Sequence, residues 1–147
     1  MLRDVSASIK SIVIALLVFS QVALGSCASS PKRVNDVQQM SQKLQGVWVL
    51  KSFTPREPLE PALFALLSTQ LGQMRVSVNG SQITAQGPLL QVVRTYRVQE
   101  AADSTATLLV IDQSGIAVRV WMEILYNRLT FRPMDSPWTG EGVLERL

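Results

Sequence analysis

The chain has 147 residues, with 14 Lys and Arg against 11 Asp and Glu, a single cysteine and no histidine. The absence of histidine excludes Ser-His-Asp and Cys-His catalysis and the usual zinc sites. The basic residues are scattered along the chain, which argues against a nucleic-acid-binding patch, and the acidic residues form no matched pair. We therefore expect a protein that is not an enzyme and that carries no metal or cofactor.

Residues 1–26 have the pattern of a secretory signal peptide. An apolar run at 11–24 follows Arg3 and Lys10, and it is shorter than the roughly 20 residues that span a bilayer. Its ending, Leu24-Gly25-Ser26-Cys27, resembles the bacterial lipobox, which implies that Cys27 becomes the acylated first residue of the mature protein. A cleaved signal with a chance cysteine and an N-terminal membrane anchor are the alternatives.

The residue after the cysteine bears on the destination of such a lipoprotein. It is Ala28 and not aspartate, which resembles lipoproteins that double-membrane bacteria send to the outer membrane. More than one acyl chain on Cys27 would anchor the protein stably. The resemblance therefore implies a protein held in the bacterial cell envelope, with the membrane as its first partner.

Residues 27–44 have the polar composition of a tether. Within this segment Val37, Met40 and Leu44 fall at helical spacing, which predicts a short helix over 34–44. Two interpretations stand side by side: the helix caps the following domain, or the segment is a partly ordered tether.

Residues 45–147 predict one all-β domain. An aromatic and β-branched strand at 46–53 precedes an amphipathic helix at 59–71, in which leucines recur every four residues and Gly72 marks the end. Seven further strands are predicted at 74–78, 82–85, 89–98, 105–111, 116–125, 129–132 and 142–147. Eight adjacent strands in a meander close most simply as an up-and-down barrel with one helix inserted after the first strand.

Alternation along the strands assigns one face of each to the barrel interior. It places Tyr96, Met122 and Phe131 inside, where they would line a ligand cavity. It also turns Arg94 inward among apolar side chains. A buried cation needs compensation, so Arg94 is a candidate clamp for a ligand carboxylate or phosphate. A position at the barrel rim, an internal ion pair and a different register are the alternatives.

The outward face carries Trp121, which either packs under the helix or the N-terminal segment or contacts a partner. Together with the loop at 133–138, which contains Trp138, it defines a second hypothesis. In that hypothesis the barrel is filled by its own side chains and the protein is a non-enzymatic interaction or structural module that binds another envelope protein.

Two features resemble lipocalin-like (calycin) barrels. Gly46-Val47-Trp48 is similar to the Gly-x-Trp that starts the first strand of such barrels, and Arg146 is similar to the arginine that packs across that tryptophan. The resemblance implies an eight-stranded barrel that binds or carries a small hydrophobic or amphipathic molecule. The helix at 59–71 is similar to the helical lid of fatty-acid-binding proteins, and the usual lipocalin disulfide is missing.

Overall fold

The structure, a computed structural model, describes residues 31–135 and 139–147. The predicted signal peptide, Cys27 and Ala28 lie outside these residues, and so does Trp138. The described chain contains two helices, α1 (Pro31–Leu44) and α2 (Pro61–Gln70). The eight strands are β1 (Gly46–Pro55), β2 (Arg75–Asn79), β3 (Gln82–Gln86), β4 (Gln91–Ala102), β5 (Thr105–Ile111), β6 (Ala117–Leu125), β7 (Arg128–Pro133) and β8 (Gly140–Arg146).

Each strand pairs antiparallel with the next in sequence, and β8 pairs with β1 to close the barrel. The predicted fold class, an all-β up-and-down barrel of eight strands with a helix after the first strand, is confirmed. Closure removes the free sheet edges that an open meander would expose. The register places Trp48 opposite Arg146, which ties the first strand to the last.

The strand that differs most from its predicted bounds is β4. β4 begins at Gln91, two residues later than predicted, because residues 87–90 form the connection from β3, which a hydrogen bond from the Gly87 N–H to the Leu90 carbonyl closes over 2.8 Å. Leu89 and Leu90 therefore lie in the β3–β4 turn, and both are exposed. β4 then continues to Ala102, past a bulge between Val98 and Glu100, and the bulge shifts which residues face inward.

One end of the barrel, which we name the closed end, is covered by the C-terminal half of α1. Met40 and Leu44 are buried there against the barrel interior. The indole N–H of Trp48, itself 0% exposed, donates to the carbonyl of Leu44 over 2.9 Å. The Arg146 guanidinium lies 4.4 Å from the centre of the Trp48 ring and donates to the carbonyl of Lys43. The helical spacing seen in the sequence thus belongs to a packed cap.

The opposite end, which we name the open end, carries the connections β1–α2–β2, β3–β4, β5–β6 and β7–β8. α2 begins at Pro61, which suits the first turn of a helix. It is followed by Gly72, whose φ of +75° favours glycine. The Gly72 N–H donates to the carbonyl of Leu50 over 2.6 Å, which fixes the chain after α2 to β1.

Candidate functional site: an apolar cavity in the barrel

The barrel interior contains a cavity of about 280 Å³. Fifteen side chains line it, every one of them apolar, from seven of the eight strands together with Leu44 of α1 and Met74 before β2. Leu44 and Trp48 lie at its closed end, and Met74 and Ala85 lie toward the open end. The strands create this lining because inward positions alternate with outward ones and most of the inward positions carry apolar side chains.

Met122 and Phe131, two of the four predicted ligand-binding residues, line the cavity. A third, Tyr96, does not. Met122, which is 1% exposed, and Phe131 are paired across β6 and β7 and form part of the wall. Tyr96 is buried on β4, where its hydroxyl donates to the Gly80 carbonyl over 3.0 Å and accepts from Gln45 Nε2 over 3.1 Å. Burial raises the pKa of the Tyr96 hydroxyl. The structure gives Tyr96 a role in joining the β2–β3 turn to the start of β1.

The fourth predicted residue, Arg94, lies on the inner face of β4, directly opposite Ile83 of β3. Ile83 is part of the cavity wall, whereas the Arg94 side chain is half-buried beside the cavity. Its Nη1 donates to the Val93 carbonyl over 3.0 Å. Within the described residues Arg94 has no carboxylate inside ion-pair distance.

The acidic residue closest to Arg94 in the strand pairing is Asp112, which directly follows β5. Since Thr95 pairs with Ile111, the next position along brings Asp112 level with Arg94. One Asp112 oxygen accepts the N–H groups of Ser114 (2.8 Å) and Ile116 (2.9 Å) and the Ser114 hydroxyl (2.6 Å). The Ser114 hydroxyl bond is the main cause of the lowered pKa of Asp112, and the charge of Arg94 contributes. Asp112 thus stabilises the β5–β6 turn through these hydrogen bonds.

Exposed apolar side chains surround the open end. They come from four separate connections: Phe64 and Leu66 on α2, Leu89 and Leu90 between β3 and β4, Ile116 between β5 and β6, and Met134 after β7. No residue of α2 lines the cavity. Its one fully buried side chain, Gln70, packs against Gly87 of the β3–β4 turn. In this structure the predicted lid helix therefore lies beside the open end and does not close the cavity.

A separate groove of about 510 Å³ runs between α1 and the outer face of β4, β5 and β6. It is lined by Arg33 and Val37 of α1 and by Trp121 of β6, among others. The Arg132 guanidinium stacks 4.7 Å from the centre of the Trp121 ring and forms an ion pair with Glu141 at 2.6 Å. Trp121 is therefore covered on one side by Arg132 of β7, and it also lines the groove between α1 and the barrel.

Sequence reasoning missed the contact that shapes one wall of the cavity. Phe131 pairs with Gly142 of β8, and a Cβ built on Gly142 would lie 2.1 Å from Phe131 Cζ. The ring occupies the space that any side chain at position 142 would need. A glycine inside a predicted strand is the signal that would have pointed to such a close approach.

No protein-family model, curated protein or solved structure matches this chain. Among the described residues no helix is long and apolar enough to cross a membrane, and no group of three or more acidic, cysteine or histidine residues is placed to hold a metal ion. The fold and the site together define a small closed β-barrel with an apolar internal cavity.

Proposed function

We propose that this protein is a lipid-anchored lipoprotein of the bacterial envelope that binds or carries a small hydrophobic or amphipathic ligand inside its barrel. The observation that supports the proposal is the apolar cavity of about 280 Å³. Its volume lies close to the lower bound of ligand pockets, about 300 Å³. It is also nearly twice that of an engineered apolar cavity, about 150 Å³, that binds benzene.

The lining chemistry favours an apolar occupant over water. A buried water typically makes two to four hydrogen bonds to polar groups. Among the fifteen lining side chains the one N–H donor, the Trp48 indole, already donates to the Leu44 carbonyl. An apolar molecule in this cavity loses contact with water and gains contact with side chains such as Met122 and Phe131, at about 25 cal/mol per Å² of buried apolar area.

The proposed anchor is an acylated Cys27, four residues before α1 begins at Pro31. In a bacterial host, metabolic labelling with a palmitate analogue should mark the full-length protein, and Cys27→Ser should abolish the label. A Ser26→Thr variant, which keeps the cysteine, serves as a comparison. Label that survives the loss of Cys27 would overturn the anchor, and localisation of the labelled protein outside the outer membrane would overturn the proposed destination.

The ligand itself is tested with a matched pair of variants on β3. Ala85 lines the cavity, whereas its neighbour Thr84 faces outward. Ala85→Leu should fill part of the cavity, and Thr84→Leu adds apolar volume to the outer face of the same strand. Native mass spectrometry of the chain from Ala28 onward, followed by lipid extraction, should find a bound apolar molecule in wild type and in Thr84→Leu but less in Ala85→Leu. Equal or absent binding in all three would contradict the carrier function.

The groove beside Trp121 favours a second candidate function, the binding of another envelope protein. Its volume of about 510 Å³ exceeds that of the internal cavity, and its lining combines charged, polar and aromatic groups. A photo-crosslinking residue at Thr107, which lines the groove, should then give one discrete protein adduct in intact membranes. Crosslinking from Thr84 on the outer face of β3 is the control, since Thr84 lies outside the groove. The carrier function alone predicts no stable adduct from either position.

A further inference from the structure

The inner face of the barrel carries only two charged residues within the described strands, and both are arginines. Arg146 lies at the closed end, opposite Trp48. Arg94 lies in the first half of β4, which begins at the open end, and it is paired with Ile83 and level with Asp112 of the β5–β6 connection. All other charged residues of the strands occupy outward positions, as Arg97 does beside Arg94 on β4. A cation on an apolar inner face is costly unless a partner compensates for its lost hydration.

The two arginines differ in the contacts that their guanidinium groups make. Arg146 stacks on the Trp48 ring and donates to the Lys43 carbonyl. Arg94 has five N–H donors. Within the described residues its side chain donates one hydrogen bond, to the Val93 carbonyl. Asp112, the carboxylate level with Arg94, is held by its own turn through Oδ1, and it forms no ion pair with Arg94 within the described residues. Arg94 is therefore equipped to bind an anion.

The cavity sets the size of the apolar part of a ligand. A water molecule takes up about 30 Å³ of the liquid, and a methylene group is of comparable size. A cavity of about 280 Å³ then accommodates on the order of nine chain atoms, which is one short alkyl chain and not two. Ile83, the cross-strand partner of Arg94, belongs to the cavity wall, so Arg94 lies next to that wall on the inner face, although its own side chain is not among the fifteen that line the cavity.

We infer that the ligand is a single-chain anionic amphiphile with a chain of about eight to ten carbons inside the barrel and its carboxylate or phosphate at Arg94. The inference rests on the proposed carrier function and adds the ligand's charge, chain number and orientation. The chain lies toward Trp48 and Met122, and the head group lies toward the open end. A planar guanidinium with free donors can hold a carboxylate or a phosphate in two parallel hydrogen bonds.

The test measures ligand binding to the full-length protein in phospholipid nanodiscs by equilibrium dialysis, with empty nanodiscs as the blank. The probes are radiolabelled decanoate, decyl phosphate and decanol, followed by straight-chain acids from six to sixteen carbons. Each affinity is calculated from the concentration of free probe in the aqueous phase. Partition of the probe into the nanodisc lipid therefore does not affect the comparison. The variants are Arg94→Gln and Arg94→Lys, with Arg97→Gln as the matched control on the outer face of the same strand.

Decanoate and decyl phosphate should bind about tenfold more tightly than decanol. Arg94→Gln should remove that preference, whereas Arg94→Lys should keep part of it and Arg97→Gln should keep all of it. Affinity for acids should rise about fourfold per methylene and level off near ten carbons. A preference for one of the two anions identifies whether carboxylate or phosphate is the head group.

Equal binding of decanol and decanoate to wild type, or an unchanged preference in Arg94→Gln with a wild-type circular dichroism spectrum, would overturn the inference while the carrier function stands. A continued rise in affinity to sixteen carbons would overturn the chain length. Failure of every probe to bind above the blank would overturn the carrier function as well.

Discussion

Replacing Arg146 with methionine removes the contact that joins the last strand to the first strand and to α1 at the closed end of the barrel. The guanidinium lies 4.4 Å from the centre of the Trp48 ring and donates to the carbonyl of Lys43 at the end of α1. Methionine keeps an unbranched apolar stem but has neither the charge nor the hydrogen-bond donors. We expect Arg146→Met to fold into the same barrel with a lower free energy of unfolding.

The expected loss follows from two contributions. A cation over an aromatic face contributes about 1 kcal/mol when partly exposed, and a charge-assisted hydrogen bond contributes about 1.5 kcal/mol. Because Arg146 is itself exposed to solvent, the sum is best taken as about 2 kcal/mol. For a domain of this size that corresponds to a fall in Tm of about 8 °C.

Urea unfolding of the chain from Ala28 onward measures this change, with tryptophan fluorescence and circular dichroism as the two signals. The unfolding midpoint should fall by about 1 M while the m-value stays the same. Arg97→Met is the control, because Arg97 is exposed on the outer face of β4, and it should shift the midpoint little. A loss below about 0.5 kcal/mol, within the range of ordinary surface substitutions, or a loss equal to that of Arg97→Met would refute the reasoning.

Three further changes have expected outcomes. Gly142→Ala places a Cβ 2.1 Å from Phe131 Cζ and should cost about 1–3 kcal/mol in urea unfolding through overpacking; unchanged stability would show that the ring can move aside. Gln70→Met removes a buried amide oxygen that has no hydrogen-bond partner among the described residues and should stabilise the protein by about 1 kcal/mol, whereas a loss would reveal an essential amide contact. Asp112 has a lowered pKa in the fold, so its contribution to stability is present above its ordinary pKa of 3.8 and is lost as the pH falls through the folded value. Asp112→Asn should therefore flatten the pH dependence of unfolding below about pH 5, and an unchanged slope would contradict this assignment.

The barrel was predictable because its signals are local. Alternating apolar residues mark the inward faces of β5 and β6, as for Leu108, Val110 and Met122, and all three line the cavity. The first and last strands carried a further signal, since Trp48 and Arg146 face each other in the register that the resemblance implies. The spacing of apolar residues along a strand and the residue types in a turn are properties of neighbouring residues. A single sequence is therefore enough to recognise them.

The cavity was less predictable because it depends on volumes summed over seven strands. Alternation shows that Tyr96 points inward, but not that its hydroxyl is bound by Gly80 and Gln45 away from the cavity. Alternation likewise places Arg94 on the inner face without showing whether a carboxylate meets it. The close approach of Phe131 to Gly142 joins two different strands, and no pattern within either strand specifies the ring's position.

A crystal structure of the protein with decanoate would show whether the barrel interior is a ligand site. We expect continuous density for one alkyl chain between Trp48 and Phe131, with the carboxylate within hydrogen-bond distance of the Arg94 guanidinium. A barrel whose cavity is empty or closed by its own side chains at saturating decanoate would contradict the claim that this interior is a ligand site.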